Sequence, residues 1–209
     1  MARDNATFLY NGIGNIGDVQ LTNWKGKAVI KRRRRHVEQP GTLAQLCTWA
    51  KLRTSSKLSK LLKPTVLLGF KLACGQNMTE TNKFMQVNKD IFSCVDGNEV
   101  TVDFLALVVS SGNLLGLRSG AKAVPNTGGY SLTLETYVTG DGAATDKLAV
   151  VVVDATNKLA LNLQNVTTRN VDTIDITVPA AMSGTKHVYA FYYNALNNQV
   201  SASMKLPTA

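Results

Sequence analysis

The chain has 209 residues, 44% of them hydrophobic and 18% charged, with a mean hydropathy of −0.02 and a formal net charge of +9. That composition suits one large domain or two small ones, and it excludes a disordered chain, a collagen-like repeat and a small disulfide scaffold. The longest apolar runs, such as Leu105–Val109 and Leu148–Val153, fall far short of the roughly 20 residues a membrane helix needs, and the polar start Met-Ala-Arg-Asp-Asn does not read as a secretion signal.

Taken in chain order, the first feature is Gly12-Ile13-Gly14-Asn15-Ile16-Gly17, which matches the G-x-G-x-x-G dinucleotide fingerprint. That chemistry needs a strand before the glycines, a helix opening after them, and an acid about 20 residues on. Here a strand-like segment follows, and Lys31–Arg35 occupies the acid's place, so a glycine-rich turn between short strands is the expectation and no cofactor is inferred. Strand-like pieces then flank Trp24-Lys25-Gly26, at Val19–Leu21 and Ala28–Ile30.

The run Lys31-Arg32-Arg33-Arg34-Arg35-His36 is the sharpest feature of the chain. With Lys25 and Lys27 it makes seven basic residues in eleven, with no acid until Glu38. In an extended segment alternate side chains point to opposite sides, so neither side can be buried without desolvating charge. The run must face a polyanion such as nucleic acid, a neighbouring subunit, or solvent. If about five of these charges met duplex phosphates, log affinity would fall against log salt with a slope of roughly −4 to −5.

After Pro40-Gly41, Thr42 and Gln45 fit a helix capping box. Leu43, Leu46, Cys47, Ala50, Leu58 and Leu61 follow on one stripe at about 100° per residue, and are expected to face inward. Arg53, Lys60 and Lys63 share a flank that extends the basic patch. Pro64 ends this helix, Pro64–Ala73 reads as a second, and Thr79–Asn88 as a third with Phe84 and Val87 inward. Trp24, Trp49 and Tyr10 are read as buried aromatics rather than as base-stacking platforms.

Charge and texture change together near Ser93–Glu99. Through Lys89 there are 16 Lys/Arg against 4 Asp/Glu, a net of +12, and from Asp90 onward 7 against 10, a net of −3. Beyond that point strands are predicted at Glu99–Ser110, Leu114–Arg118, Tyr130–Val138, Lys147–Asp154, Leu159–Leu163, Thr173–Val178, Lys186–Tyr193 and Val200–Leu206. Each is bounded by turn signals such as Ser111-Gly112-Asn113 or Thr127-Gly128-Gly129. The expected fold is therefore α+β and mainly β. A basic strand-and-helix module over 1–95 precedes an antiparallel, immunoglobulin- or fibronectin-like β-sandwich over 96–209.

Candidates for reaction chemistry are few. The histidines, His36 and His187, form no paired metal site, and no G-x-S-x-G or H-E-x-x-H motif occurs. His187 reads as an ordinary strand residue. Asp141, Asp146 and Asp154 lack EF-hand spacing and are read as solvated loop acids rather than a calcium site. Cys47, Cys74 and Cys94 are odd in number and contain no C-x-x-C pair, so neither a zinc knuckle nor a disulfide framework is expected. The sequons at Asn5, Asn77 and Asn165 are read as turns or strand edges.

Several of these residues carry a resemblance. Gly14–Gly17, Trp24-Lys25-Gly26, the basic strand, Pro40-x-Thr42-x-Ala44-Gln45, and Ser183-Gly184-Thr185-x-His187-Val188-Tyr189-Ala190-Phe191 resemble a family of uncharacterised proteins from Bacteroidota bacteria and their mobile elements. The likeness runs along most of the chain. Family members often carry Asn where this chain has Gln39, and an arginine near the place of Lys51. The resemblance implies a two-part protein with a β-sandwich C-terminal region. It carries over no activity and no catalytic residue.

The expected function is a non-enzymatic structural or assembly protein, of the kind found in phage or mobile-element virions. Its basic residues Lys25, Lys27, Lys31, Arg32, Arg33, Arg34, Arg35, Arg53, Lys60 and Lys63 would contact nucleic acid, another polyanion or neighbouring subunits. Self-association is expected, with no membrane partner, no metal, no cofactor and no identified small-molecule substrate. The location would be cytoplasmic, or the virion if the gene is a phage's. The rivals are a monomeric nucleic-acid-binding accessory protein and an enzyme whose site the sequence does not connect.

Overall fold

The computed structural model describes residues 13–25, 27–33, 41–75, 77–97, 99–135, 142–194 and 199–208. They form antiparallel sheets and three helices, mainly β, in two compact units, Met1–Gly41 and Thr42–Ala209.

The first unit is a three-stranded sheet of β1 (Gly14–Ile16), β2 (Val19–Trp24) and β3 (Lys27–Arg32), paired in that order. Two-residue turns connect them. Gly17 and Asp18 join β1 to β2, with Gly17 at φ 58, and Lys25 at φ 50 opens the turn into β3. Positive φ is what tight hairpin turns require. Gly14 therefore lies in a strand and Gly17 in a turn. A second strand, not a helix, follows them, as the glycine-turn reading expects.

In the second unit, α1 (Leu43–Leu61) begins at the capping box read from the sequence. Thr42 Oγ1 accepts from the Gln45 amide at 3.4 Å, and the Gln45 side chain accepts from the Thr42 amide at 3.0 Å. The helix ends before Pro64, which sits in the first turn of α2 (Lys63–Gly69), where a missing N–H costs no helical bond. Thr79 caps α3 (Glu80–Val87) by accepting from Asn82 N. A 3₁₀ turn, Lys89–Ile91, leads into the hairpin of β4 (Phe92–Cys94) and β5 (Val100–Val102).

The centre of this unit is a five-stranded sheet. In it β8 (Lys147–Asp154) lies between β9 (Leu159–Leu163) and β11 (Lys186–Asn194), and β11 also pairs with β12 (Gln199–Val200) and β13 (Met204–Leu206). One face, carrying Val151, Val153, Tyr189 and Phe191, packs with Leu58, Leu62, Val66, Phe70 and Phe84 of the helical region. The other, carrying Leu148, Val150, Val152 and Val188, packs with Leu132 and Ile176 of a second sheet. That sheet holds β6 (Lys122–Asn126), β7 (Gly129–Thr133) and β10 (Thr173–Thr177) in the order β10-β7-β6. Because both faces of β8 are covered, Leu148–Asp154 is buried throughout, which explains its unbroken apolar run.

This packing moves the boundary expected at 93–99. The helices and the central sheet share one core, so the structural division falls between Gly41 and Thr42. The change in charge there marks surface composition, not a domain edge.

Several local expectations also change. Of the predicted strand Glu99–Ser110 only β5 forms; beyond it the Asn88 side chain binds both the amide and the carbonyl of Val108 at 2.8 Å, taking the place of a strand neighbour. Leu114–Arg118 makes no strand beyond a single bridge from Leu114 to Ser201. Leu43 and Leu46 are exposed, as are Trp24, Trp49 and Val87, so only the later part of the α1 stripe, around Leu58, reaches the core. Tyr10 lies outside the described residues.

The cysteine expectation is corrected as well. Cys47 of α1 and Cys94 of β4 form a disulfide with their Cα atoms 5.6 Å apart, and Cys74 is free. Asp146 and Asp154 are buried and hydrogen-bonded within the protein, not solvated loop acids, and Asp141 lies outside the described residues. Among the described residues no helix is long and apolar enough to cross a membrane, and no cluster of His, Cys, Asp and Glu could hold a metal.

Candidate nucleic-acid interface

The pairing register of the first unit sorts its side chains onto two faces. Val19 lies opposite Arg32, Gln20 opposite Lys31, Leu21 opposite Ile30, Thr22 opposite Val29 and Trp24 opposite Lys27. On the other side of β2, Ile16 pairs with Val19 and Asn15 with Gln20. Directly opposed residues share a face and successive residues alternate.

One face therefore carries Ile16, Val19, Leu21, Asn23, Ala28 and Ile30, with Arg32 at its end. The other carries Asn15, Gln20, Thr22, Trp24, Lys27, Val29 and Lys31. The Arg33 amide donates to the Asp18 carbonyl at 2.6 Å, which continues the ladder one residue and brings Arg33 to the side of Lys31. Asp18 lies opposite it, and is the one carboxylate among residues 13–33, against five cations.

Lys27, Lys31 and Arg33 thus fall on one side of the edge strand, with Val29 between the first two. Alternate positions of a strand are about 6.8 Å apart, so the row presents charge along a line rather than at a point. All of β3 is exposed. Asn15, Gln20 and Lys31 form one row across the three strands, and with Arg32 and Arg33 they line a depression of about 270 Å³. Trp24 stands at the other end of the same face, 55% exposed, with Lys25 Nζ 5.6 Å from its ring centre. A flat exposed aromatic beside a line of cations can stack a base while the cations hold phosphates.

The remaining candidates separate. Arg34 and Arg35 lie outside the described residues. Arg53 and Lys60 sit on α1 in the second unit, where they line a groove, and Lys63 is exposed at the start of α2. These three form a surface of their own unit.

The family model described as a family of unknown function, DUF6266, matches residues 11–206. The chain belongs to that family. The match includes the basic sheet as well as the larger unit, so this DUF6266 pattern covers both. No curated protein and no solved structure matches the chain.

Reading the sequence alone missed Asn15 and Gln20, which only the register brings beside Lys31. It also missed Lys158 in the groove of the second unit, 98 residues along the chain from Lys60. Lys57 carries a signal at α1 spacing, four residues after Arg53. His187 behaves as a strand residue: it stacks on Phe104 with centroids 5.0 Å apart, and burial, then the charge of Lys205, pushes its pKa down.

Proposed function

We propose that this DUF6266 protein is a non-enzymatic structural or assembly component, with its N-terminal sheet holding nucleic acid on the polar face and meeting a neighbouring subunit through the apolar one. The observation that carries the reading is the segregation of faces. Lys27, Lys31, Arg33 and Trp24 share one side, while Ile16 at 56% and Ile30 at 58% exposure mark the other. Ile16 and Ile30 stay exposed on that side although Leu21 is buried, and a three-stranded sheet gains stability by burying such residues against another surface.

The larger unit serves as the rigid body, as an immunoglobulin- or fibronectin-like sandwich would; its two packed sheets support that part of the reading. The charge split, +12 through Lys89 and −3 after it, is the layout of many small virion proteins, and by that analogy a phage or mobile-element virion is the proposed setting. The alternative is a monomeric accessory protein that uses the polar face alone.

Sizing the purified chain with and without nuclease separates the two. Assembly predicts a large particle that survives nuclease and dissociates when Ile16 and Ile30 are both replaced by aspartate. A monomer that shifts only when an oligonucleotide is added would establish the accessory role. A monomer that binds neither DNA nor RNA would overturn both.

A further inference from the structure

The second unit carries a groove of about 940 Å³ that the reading above does not use. Its walls are α1, the segment around β5, and the turn between β8 and β9. The floor is apolar, from Leu58 and Leu61 of the helix, Val100 and Val102 of β5, and Phe104. The rim is cationic. Arg53, Lys57 and Lys60 follow one another along α1, and Lys158 reaches in from the turn; all four are exposed.

Two carboxylates also line the groove. Asp154 is committed to its own turn: one oxygen accepts from the amides of Thr156 and Asn157, the other from the Asn157 side chain and the Gly184 amide. That leaves Glu99 facing four cations.

The shape of the charge selects the ligand. Arg53 to Lys60 spans about 10 Å of helix, too long for one phosphate or carboxylate and equal to about three residues of extended chain. The backbone of β5 adds a direction. Asp103 donates to Ile91 O at 2.9 Å, one step beyond the register Phe92↔Val102, Ser93↔Thr101, Cys94↔Val100. In an antiparallel ladder bonded pairs alternate, so Thr101 bonds to Ser93 while the amides and carbonyls of Val100 and Val102 turn away from β4. Among the described residues β5 has a strand neighbour on one side only.

We propose that this groove binds an extended peptide segment alternating carboxylate and apolar side chains, laid as a strand beside β5 with its apolar residues on the floor and its carboxylates toward the α1 lysines. Strand addition supplies the main-chain bonds, and the alternation of the peptide matches a floor on one side and a charged wall on the other. Every residue of the site belongs to the second unit, and the proposal stands or falls without the basic sheet.

The test is fluorescence anisotropy of the full chain with a short labelled peptide alternating glutamate and valine. Saturable binding is expected. Replacing Lys57 and Lys60 together with glutamate should weaken it by about tenfold or more, since both charges reverse against the ligand's. Lys122→Glu, an exposed reversal on β6 away from the groove, should leave it within about twofold. Thr54→Trp, on α1 between Arg53 and Lys57, which narrows the groove without touching its charge, should also weaken binding.

The proposal is overturned by any of four results. These are no saturable binding, equal loss in Lys122→Glu, undiminished binding of a peptide with serine in place of valine, or complete displacement by a thymidine oligonucleotide whose own binding needs Lys57 and Lys60. The last would assign the groove to nucleic acid. Unchanged thermal unfolding of each variant shows that the loss belongs to the groove and not to the fold.

Discussion

Arg169 and Asp146 show how much of this protein is invisible at the scale of a single residue type. Among the described residues Arg169 is the largest fully buried side chain. Its Nε donates to Asp146 Oδ2 at 3.1 Å, an Nη donates to the Leu115 carbonyl at 2.6 Å, and its guanidinium lies 4.0 Å from the Tyr192 ring centre. Asp146 is satisfied in turn by the Ala143 amide and the Asn194 side chain. Nothing in the spacing of an aspartate and an arginine 23 residues apart announces this, and the sequence reads Asp146 as a solvated loop acid. Arg169→Ala would leave the carboxylate buried and uncompensated, and should cost about 3–5 kcal/mol in urea unfolding. In the Asp146→Ala background the same change should cost much less, because the stranded charge is already gone. Asp154 differs in kind. The Asn157 amide, more than any other partner, holds its carboxyl below the ordinary carboxylate range despite burial. A lowered folded-state pKa gives stability that is complete above the ordinary range and fades as pH falls toward the folded value. The difference in Tm between the wild type and Asp154→Ala should therefore narrow as pH falls through and below the ordinary carboxylate range. A constant difference would mean that the carboxylate's ionisation plays no part in holding the turn.

Elements were most legible where pattern and packing agree. The capping box at Thr42, the Pro64 break and the strands Lys147–Asp154 and Leu159–Leu163 all lie where the sequence places them, because each depends on local chemistry or a long apolar run. The short strands β4 and β6 went unread: three residues carry no usable period, and β6 contains Pro125, which an edge strand tolerates. The α1 stripe misled in the opposite way, since helical periodicity says which residues share a face but not how far along the helix a partner extends. Leu46, 37% exposed, should lose well under 2 kcal/mol on replacement by alanine, whereas Leu62→Ala at the fully buried junction of α1 and α2 should lose about 2–5 kcal/mol. Equal losses would mean that the early part of α1 is covered after all. The Cys47–Cys94 bond ties that same early stretch to β4. It closes a separation of 47 residues, for which chain entropy predicts about 4 kcal/mol. Cys47→Ser should lower stability toward that amount in oxidised protein and change nothing once dithiothreitol is present. A structural bridge is also a mark of chains that mature outside a reducing compartment, and it weighs against the cytoplasmic expectation.

At the scale of the whole molecule, the strong split of charge along the chain is real but is not a map of domains. Basic residues of the first 89 positions appear on a small sheet in one unit and along a helix in the other, and the acidic remainder builds the same core as that helix. What composition could not supply is direction: which cations face the same way. The hairpin register supplies it, placing Lys27, Lys31 and Arg33 on one side and Arg32 on the other. This gives the basic sheet a quantitative signature. Each phosphate neutralised on duplex DNA contributes about −0.9 to the slope of log affinity against log salt. Replacing Lys27, Lys31 and Arg33 together by serine should flatten that slope by roughly 2–3, while Lys122→Ser, an exposed change on β6 of the other unit, should leave it nearly unchanged. Because these side chains are exposed, thermal unfolding should hardly move. Equal flattening per charge from Lys122 would mean that the chain is held through a diffuse cloud of charge and that the sheet has no role of its own. Trp24→Ala adds an independent arm: loss of a stacked base should weaken single-stranded oligonucleotide by about 1–3 kcal/mol and leave the duplex salt slope where it was. A sheet that tracks phosphates with one face while the other meets a subunit must show both signatures, and must keep them separable by mutation.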